Sequence, residues 1–160
     1  MSMSWRPLVL LVVLVILVAA LILLLNQLVR SRTLAEPAVP LTETVIKDVS
    51  AERGWQNTGI LLGSGETLHI QFMSGEIRDG EVVIRGPGGI GWACGESNCC
   101  EPMPEVERDA LIGRVGDHLF AIADLSEITI STNGELQLRI NDCDAGLFDN
   151  SGSFQVKISP

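Results

Sequence analysis

Beyond residue 43 the chain never holds an apolar pattern at helical spacing long enough to build a helix. It breaks instead into short aliphatic runs punctuated by Gly, Asp, Asn and Ser. That rhythm restricts the fold more than any other feature, because side chains on a strand alternate between two faces whereas helical faces repeat every three to four residues. The runs fall at 44–49, 56–62, 67–73, 81–85, 110–115, 119–123, 128–131, 135–140 and 154–158. In the third, Leu68, Ile70 and Phe72 share one face while His69 and Gln71 take the other; in the eighth, Leu136, Leu138 and Ile140 oppose Gln137 and Arg139. Short strands at this spacing, each with one apolar face, predict an all-β antiparallel sandwich. Residues 44–160 are ample for its core.

The N-terminal end obeys a different rule. Residues 8–25 form an uninterrupted apolar run of 18, and 7–29 carry no charge. At about 1.5 Å per residue, a helix of that length matches a hydrocarbon core of roughly 30 Å. A cleaved signal peptide is the rival reading, but its apolar region is about 7–15 residues and ends at a small-residue site. Here Ala19 and Ala20 lie inside the run, and Thr33-Leu34-Ala35 follows only after Arg30 and Arg32. The expected organisation is an N-terminal segment 1–6, a single transmembrane helix 7–29 as anchor, a proline-containing linker 30–43 and a β domain 44–160.

Arg6 on one side of the run and Arg30 and Arg32 on the other leave orientation undecided by charge. The cysteines decide it: Cys94, Cys99, Cys100 and Cys143 all lie in the β domain, which suits an oxidising compartment. The domain is therefore expected to be periplasmic or extracellular on a single-pass membrane protein. The formal charge of −9 becomes −12 once Arg6, Arg30 and Arg32 are set aside. Such a surface repels phosphate backbones, so nucleic acid is excluded as a partner.

Residues 86–107 break the strand rhythm. The segment is rich in Gly, Pro and Cys and longer than a routine connection, and long ordered loops in compact domains tend to carry function or to be stapled. The four cysteines allow three pairings. Cys94 and Cys99 span a short loop, and one of the cysteines in 94–100 is expected to bridge to Cys143. A four-cysteine zinc site is the competing reading, although the adjacent Cys99-Cys100 pair and lone Cys143 do not follow the usual two-by-two spacing. Trp92, in the same loop, is either an aromatic platform or a plug at the end of the sandwich; Trp55, at the start of a strand-like run, is a packing residue. No nucleophile, zinc-protease or phosphate-loop motif is present. His69 and His118 read as solvated, as does the acidic run Glu105, Glu107 and Asp109. The chain is not expected to be an enzyme.

Between the last two strand-like runs lies Asn141-Asp142-Cys143-Asp144-Ala145-Gly146-Leu147-Phe148-Asp149-Asn150-Ser151-Gly152-Ser153-Phe154. Asp142, Asp144, Asp149 and Asn150 surround a glycine, the oxygen chemistry that calcium takes. An ordinary polar hairpin uses the same residue types. An EF-hand is excluded, since its twelfth loop position would be Ser153 rather than Glu.

This stretch, together with Trp55-Gln56-Asn57-Thr58-Gly59-Ile60 and Ala110-Leu111-Ile112-Gly113-Arg114-Val115-Gly116, resembles the PA-IL-like bacterial galactose-binding lectins over roughly residues 44–160. The resemblance implies a small jelly-roll sandwich whose Ca2+ coordinates two sugar hydroxyls. Carried over by position, Asp142, Asp149 and Asn150 are side-chain ligands of the ion, while Gly146 and Asp79 supply backbone carbonyls. Asp142 and Asp149 also face the sugar, with Trp92 and Glu96 in the long loop. At the outer sugar contacts Ala93 and Glu96 stand where the galactose binders have His and Gln, so galactose itself does not carry over with them. The expected function is a membrane-tethered, extracytoplasmic, calcium-dependent carbohydrate-binding domain. The alternative is a calcium-stiffened structural module that docks to another envelope protein without binding sugar.

Overall fold

The computed structural model describes residues 39–95 and 99–160, together with Val18, which is helical. The chain divides into two compact units, Met1–Pro37 and Ala38–Pro160. Apart from Val18, the apolar run 8–25 lies outside the described residues, as do the anchor 7–29, residues 30–38 of the linker, and Glu96. Among the described residues no helix is long and apolar enough to cross a membrane.

Among its described residues the second unit has ten strands: β1 (Val39–Pro40), β2 (Val45–Ser50), β3 (Gln56–Leu62), β4 (Thr67–Asp79), β5 (Val82–Ile84), β6 (Leu111–Val115), β7 (His118–Ala121), β8 (Leu125–Thr129), β9 (Gly134–Ile140) and β10 (Asn150–Ser159). One sheet runs β1-β3-β9-β6-β7. The other runs β2-β10-β4-β5, with β8 also paired to β4. Every pairing is antiparallel except β1 with β3, where Val39 and Pro40 lie beside Ile60 and Leu61 inside what reads as linker.

Alternation places the core between the sheets as expected. Leu68 and Ile70 from β4, Leu136, Leu138 and Ile140 from β9, and Phe154, Val156 and Ile158 from β10 are all buried in one cluster. Phe72 meets Phe154 edge-to-face at 5.4 Å. Gly113 of β6 lies under the Phe120 ring, where a Cβ would stand 2.3 Å from Cε2, so the ring fills the space a side chain would need.

Two strands run further than their composition predicts, and both lead to the polar end. β4 continues through Met73-Ser74-Gly75-Glu76 to Asp79, and β10 begins at Asn150 rather than Phe154. They remain paired because glycine lets the two backbones approach: a Cβ on Gly75 would lie 2.2 Å from the Ser153 carbonyl, and one on Gly152 2.4 Å from that of Glu76. The ladder therefore ends with Asn150 opposite Asp79.

Arg139 departs from the simple alternation. It lies on the polar face of β9, yet is only 2% exposed. Trp55 covers it, with the Arg139 and Arg114 guanidinium carbons 5.5 and 4.4 Å from its ring centre. Arg139 donates from Nε to the Ile140 carbonyl, from NH2 to the Asp142 carbonyl at 2.6 Å and from NH1 to Asp144 at 2.8 Å. Trp55 is thus a packing residue, and the arginine beneath it sets the turn that follows β9.

Candidate functional site

Four segments meet at one end of the sandwich: the end of β4, the start of β10, the loop between β9 and β10, and residues 103–110 leading into β6. Asn141 ties two of them together. Its side-chain Oδ1 accepts from Met103 N–H, and its Nδ2 lies within 3.1 Å of the carbonyls of Met103, Val106 and Glu107. Asp109 N–H donates to the Asn141 carbonyl, and Asn141 N–H to that of Ala110. One buried amide thereby gives a proline-rich loop a fixed place.

Disulfides complete the staple. Cys100 pairs with Cys143, and Cys94 with Cys99. The long bridge fastens the 86–107 loop beside Asp142, as expected. With all four sulfurs so paired, no thiolate remains for the zinc reading, which the structure overturns.

Asp142 is fully buried. Its Oδ1 accepts from Cys143 N–H at 2.7 Å and its Oδ2 from Asn150 Nδ2 at 3.0 Å. Gly146 packs against it: a Cβ there would stand 3.0 Å from Oδ2, so only glycine leaves this carboxylate uncrowded. Arg108 NH2 then lies 3.1 Å from both Asp142 Oδ1 and Asp79 Oδ2. Asp79, expected to contribute its backbone carbonyl, thus turns its side chain into the site as well.

Asp109 corrects the sequence reading most sharply. It is no solvated member of an acidic run but fully buried, and it adopts a left-handed backbone with φ 62°. Burial first, then the nearby charges of Asp79 and Asp142, push its carboxyl up to about 7 against the pull of Arg108. Neither of its oxygens finds a hydrogen-bond partner among the described residues. Asn150 Oδ1 and Glu101 Oε2 are also buried without a partner among the described residues. Burial works against the charge on Arg108, but the carboxylates of Asp142, Asp79, Asp109 and Glu101 outweigh it and hold its pKa above the ordinary value.

The remaining predicted residues are placed as follows. Asp149 is exposed, with its Oδ2 3.9 Å from where a Cβ on Gly80 would stand, and its carbonyl accepts from Gly80 N–H. Asp144 pairs with Arg139 instead of facing Asp142's carboxylate. Trp92 is half exposed, and its carbonyl accepts Arg108 N–H at 2.7 Å, which sets it beside the site. Phe148, which the sequence reading did not single out, is 87% exposed on the loop between Asp142 and Asp149. His69 lies 3.9 Å from Glu127, and His118 accepts from Ser131 N–H; neither belongs to this end.

As a cation site, the donor set is coherent. Among the described residues its carboxylates outnumber the Arg108 guanidinium that faces them, and the buried oxygens of Asp109 and the Asn150 Oδ1 have no hydrogen-bond partner. Hard divalent ions take six to eight such oxygens.

No protein-family model and no curated protein matches the chain. Among solved structures it is similar to the EclA N-terminal domain, a PllA-like lectin, at 25% sequence identity and a TM-score of 0.57. That likeness covers 74% of this chain and 96% of the lectin domain. The β domain therefore has a lectin-like fold.

Proposed function

We propose that this is a carbohydrate-binding, lectin-like jelly-roll domain of the PA-IL-like kind, held at the outer side of a membrane by the N-terminal apolar run. The likeness to a PllA-like lectin carries the reading. The buried carboxylate cluster supports it, because it falls at the end of the sandwich where the sequence resemblance puts the sugar. Calcium would be held by the side chains of Asp142, Asp149 and Asn150 and the carbonyls of Asp79 and Gly146. When bound, it supplies a Lewis-acidic centre for two adjacent sugar hydroxyls.

The protein's own groups do the rest. Asn150 and the Cys143 N–H orient the Asp142 carboxylate. The stapled loop holds Trp92 beside it as an apolar face for a pyranose ring. With Ala93 in place of a hydrogen-bonding residue, the outer sugar hydroxyl is read differently from galactose in the family it resembles.

Glycan-array binding with and without chelator tests this, with Asp142→Ala as the control. Chelator-sensitive binding that Asp142→Ala abolishes is the expected result. Calcium-dependent melting without any glycan signal would point instead to the envelope scaffold.

A further inference from the structure

We propose that Arg108 is the resident cation of this carboxylate cradle and that a divalent ion binds only by exchange with its guanidinium. The inference rests on the cation site of the reading above and adds a gate to it. A single nitrogen, NH2, bridges Asp79 and Asp142 at 3.1 Å each. With the Cys143 and Asn150 donors also on Asp142, both oxygens of that carboxylate are engaged. A metal ion drawing on them meets a positive charge already in place.

The hold is a poor one for an arginine. Guanidinium bound to carboxylate favours a two-nitrogen fork, but here one nitrogen serves two acceptors and the buried Nε has no partner among the described residues. The guanidinium also leaves Asp109 and Asn150 Oδ1 unserved, whereas an ion of higher coordination number can draw on several oxygens at once. The cradle therefore favours a divalent ion over the arginine it holds.

Only the side chain needs to move. Arg108 N–H donates to the Trp92 carbonyl, its own carbonyl accepts from Ile90 N–H, and a Cβ on Gly89 would stand 2.4 Å from that carbonyl. The backbone is thus clamped on both sides. The side chain is 30% exposed and so has a route to solvent. Once released, it stands next to Trp92, a cation facing whatever occupies the site.

Calcium titration of the chelator-treated full-length chain in detergent, by calorimetry, tests the exchange. Arg108→Gln is expected to bind calcium roughly tenfold more tightly or better, since a like charge a few ångströms from the ion is removed. Without calcium the variant should melt below the wild type, and with saturating calcium at least as high. Equal or weaker calcium affinity in Arg108→Gln overturns the exchange while leaving the cation site standing. Absence of calcium binding in both proteins overturns the site itself. In the wild type, the Arg108 Nε–H resonance is expected to shift when calcium is added; calcium binding with that resonance unmoved also overturns the proposal, without any variant.

Discussion

Replacing Cys100 and Cys143 together by Ser removes the bridge between the long loop and the site, and replacing Cys94 and Cys99 removes the short one. The two bonds join residues 43 and 5 positions apart. Loop-closure entropy then assigns about 4 kcal/mol to the long bridge and about 2 kcal/mol to the short one at 25 °C. The loss falls mainly on the unfolded chain, because the Asn141 amide still holds residues 103–107 when the sulfurs are gone. Urea unfolding followed by tryptophan fluorescence measures both variants; Trp55, packed against Arg114 and Arg139, reports on the same unit. Folding should slow while unfolding changes little. If the short-bridge variant loses as much as the long-bridge variant, or the long-bridge variant loses less than about 1 kcal/mol, chain entropy is not what these bonds contribute.

Asp109→Asn is expected to flatten the pH dependence of stability in chelator. The folded carboxyl lies at about 7, above its unfolded value of 3.8, so its contribution is fully present below the latter and is lost as pH rises through the former. Wild-type stability should fall between about pH 4 and 7, by at most about 1.4 kcal/mol per pH unit, and the Asn variant, which tolerates the left-handed backbone, should not follow it. Arg139→Met leaves the buried Asp142 carbonyl without its donor, while the Ile140 carbonyl keeps the Asp142 N–H, and should lower stability by roughly 1–3 kcal/mol, whereas Asp144→Asn, at the exposed end of that ion pair, should cost less than about 1 kcal/mol; paired denaturant curves check the contrast. Gly152→Ala drives a methyl to 2.4 Å from the Glu76 carbonyl at a φ of 85°. It should lower the melting temperature and loosen hydrogen-exchange protection at residues 150–153.

Much of this architecture is legible locally. Alternation at Leu68, Ile70 and Phe72, or at Leu136, Leu138 and Ile140, locates strands and core face together, because a strand's pattern depends only on its neighbours two residues away. The polar end is harder to read for a physical reason. Residues 74–79 and 150–153 are turn formers by composition, and they become strands only because Gly75 and Gly152 admit each other's backbone, a non-local fact. Arg108 and Asp109 look like surface charge until the Asn141 amide, some thirty residues away, folds their loop inward. Arg139 looks exposed until Trp55 lies over it. β1, with two residues, has no periodicity to detect.

The meeting of Asp79 and Asn150 as the final rung of the β4–β10 ladder divides the labour of this domain. Those two residues inherit their separation from the sheet, so it holds while the neighbouring loop varies. The 86–107 segment leaves the sandwich after β5 and rejoins it through the Gly88–Ala110 bridge, and it carries Trp92 and Ala93 in between. The scaffold is in effect a fixed socket with an interchangeable bezel. New loops grafted between residues 89 and 99 provide a direct way to change what the domain selects while the carboxylates beneath stay where they are.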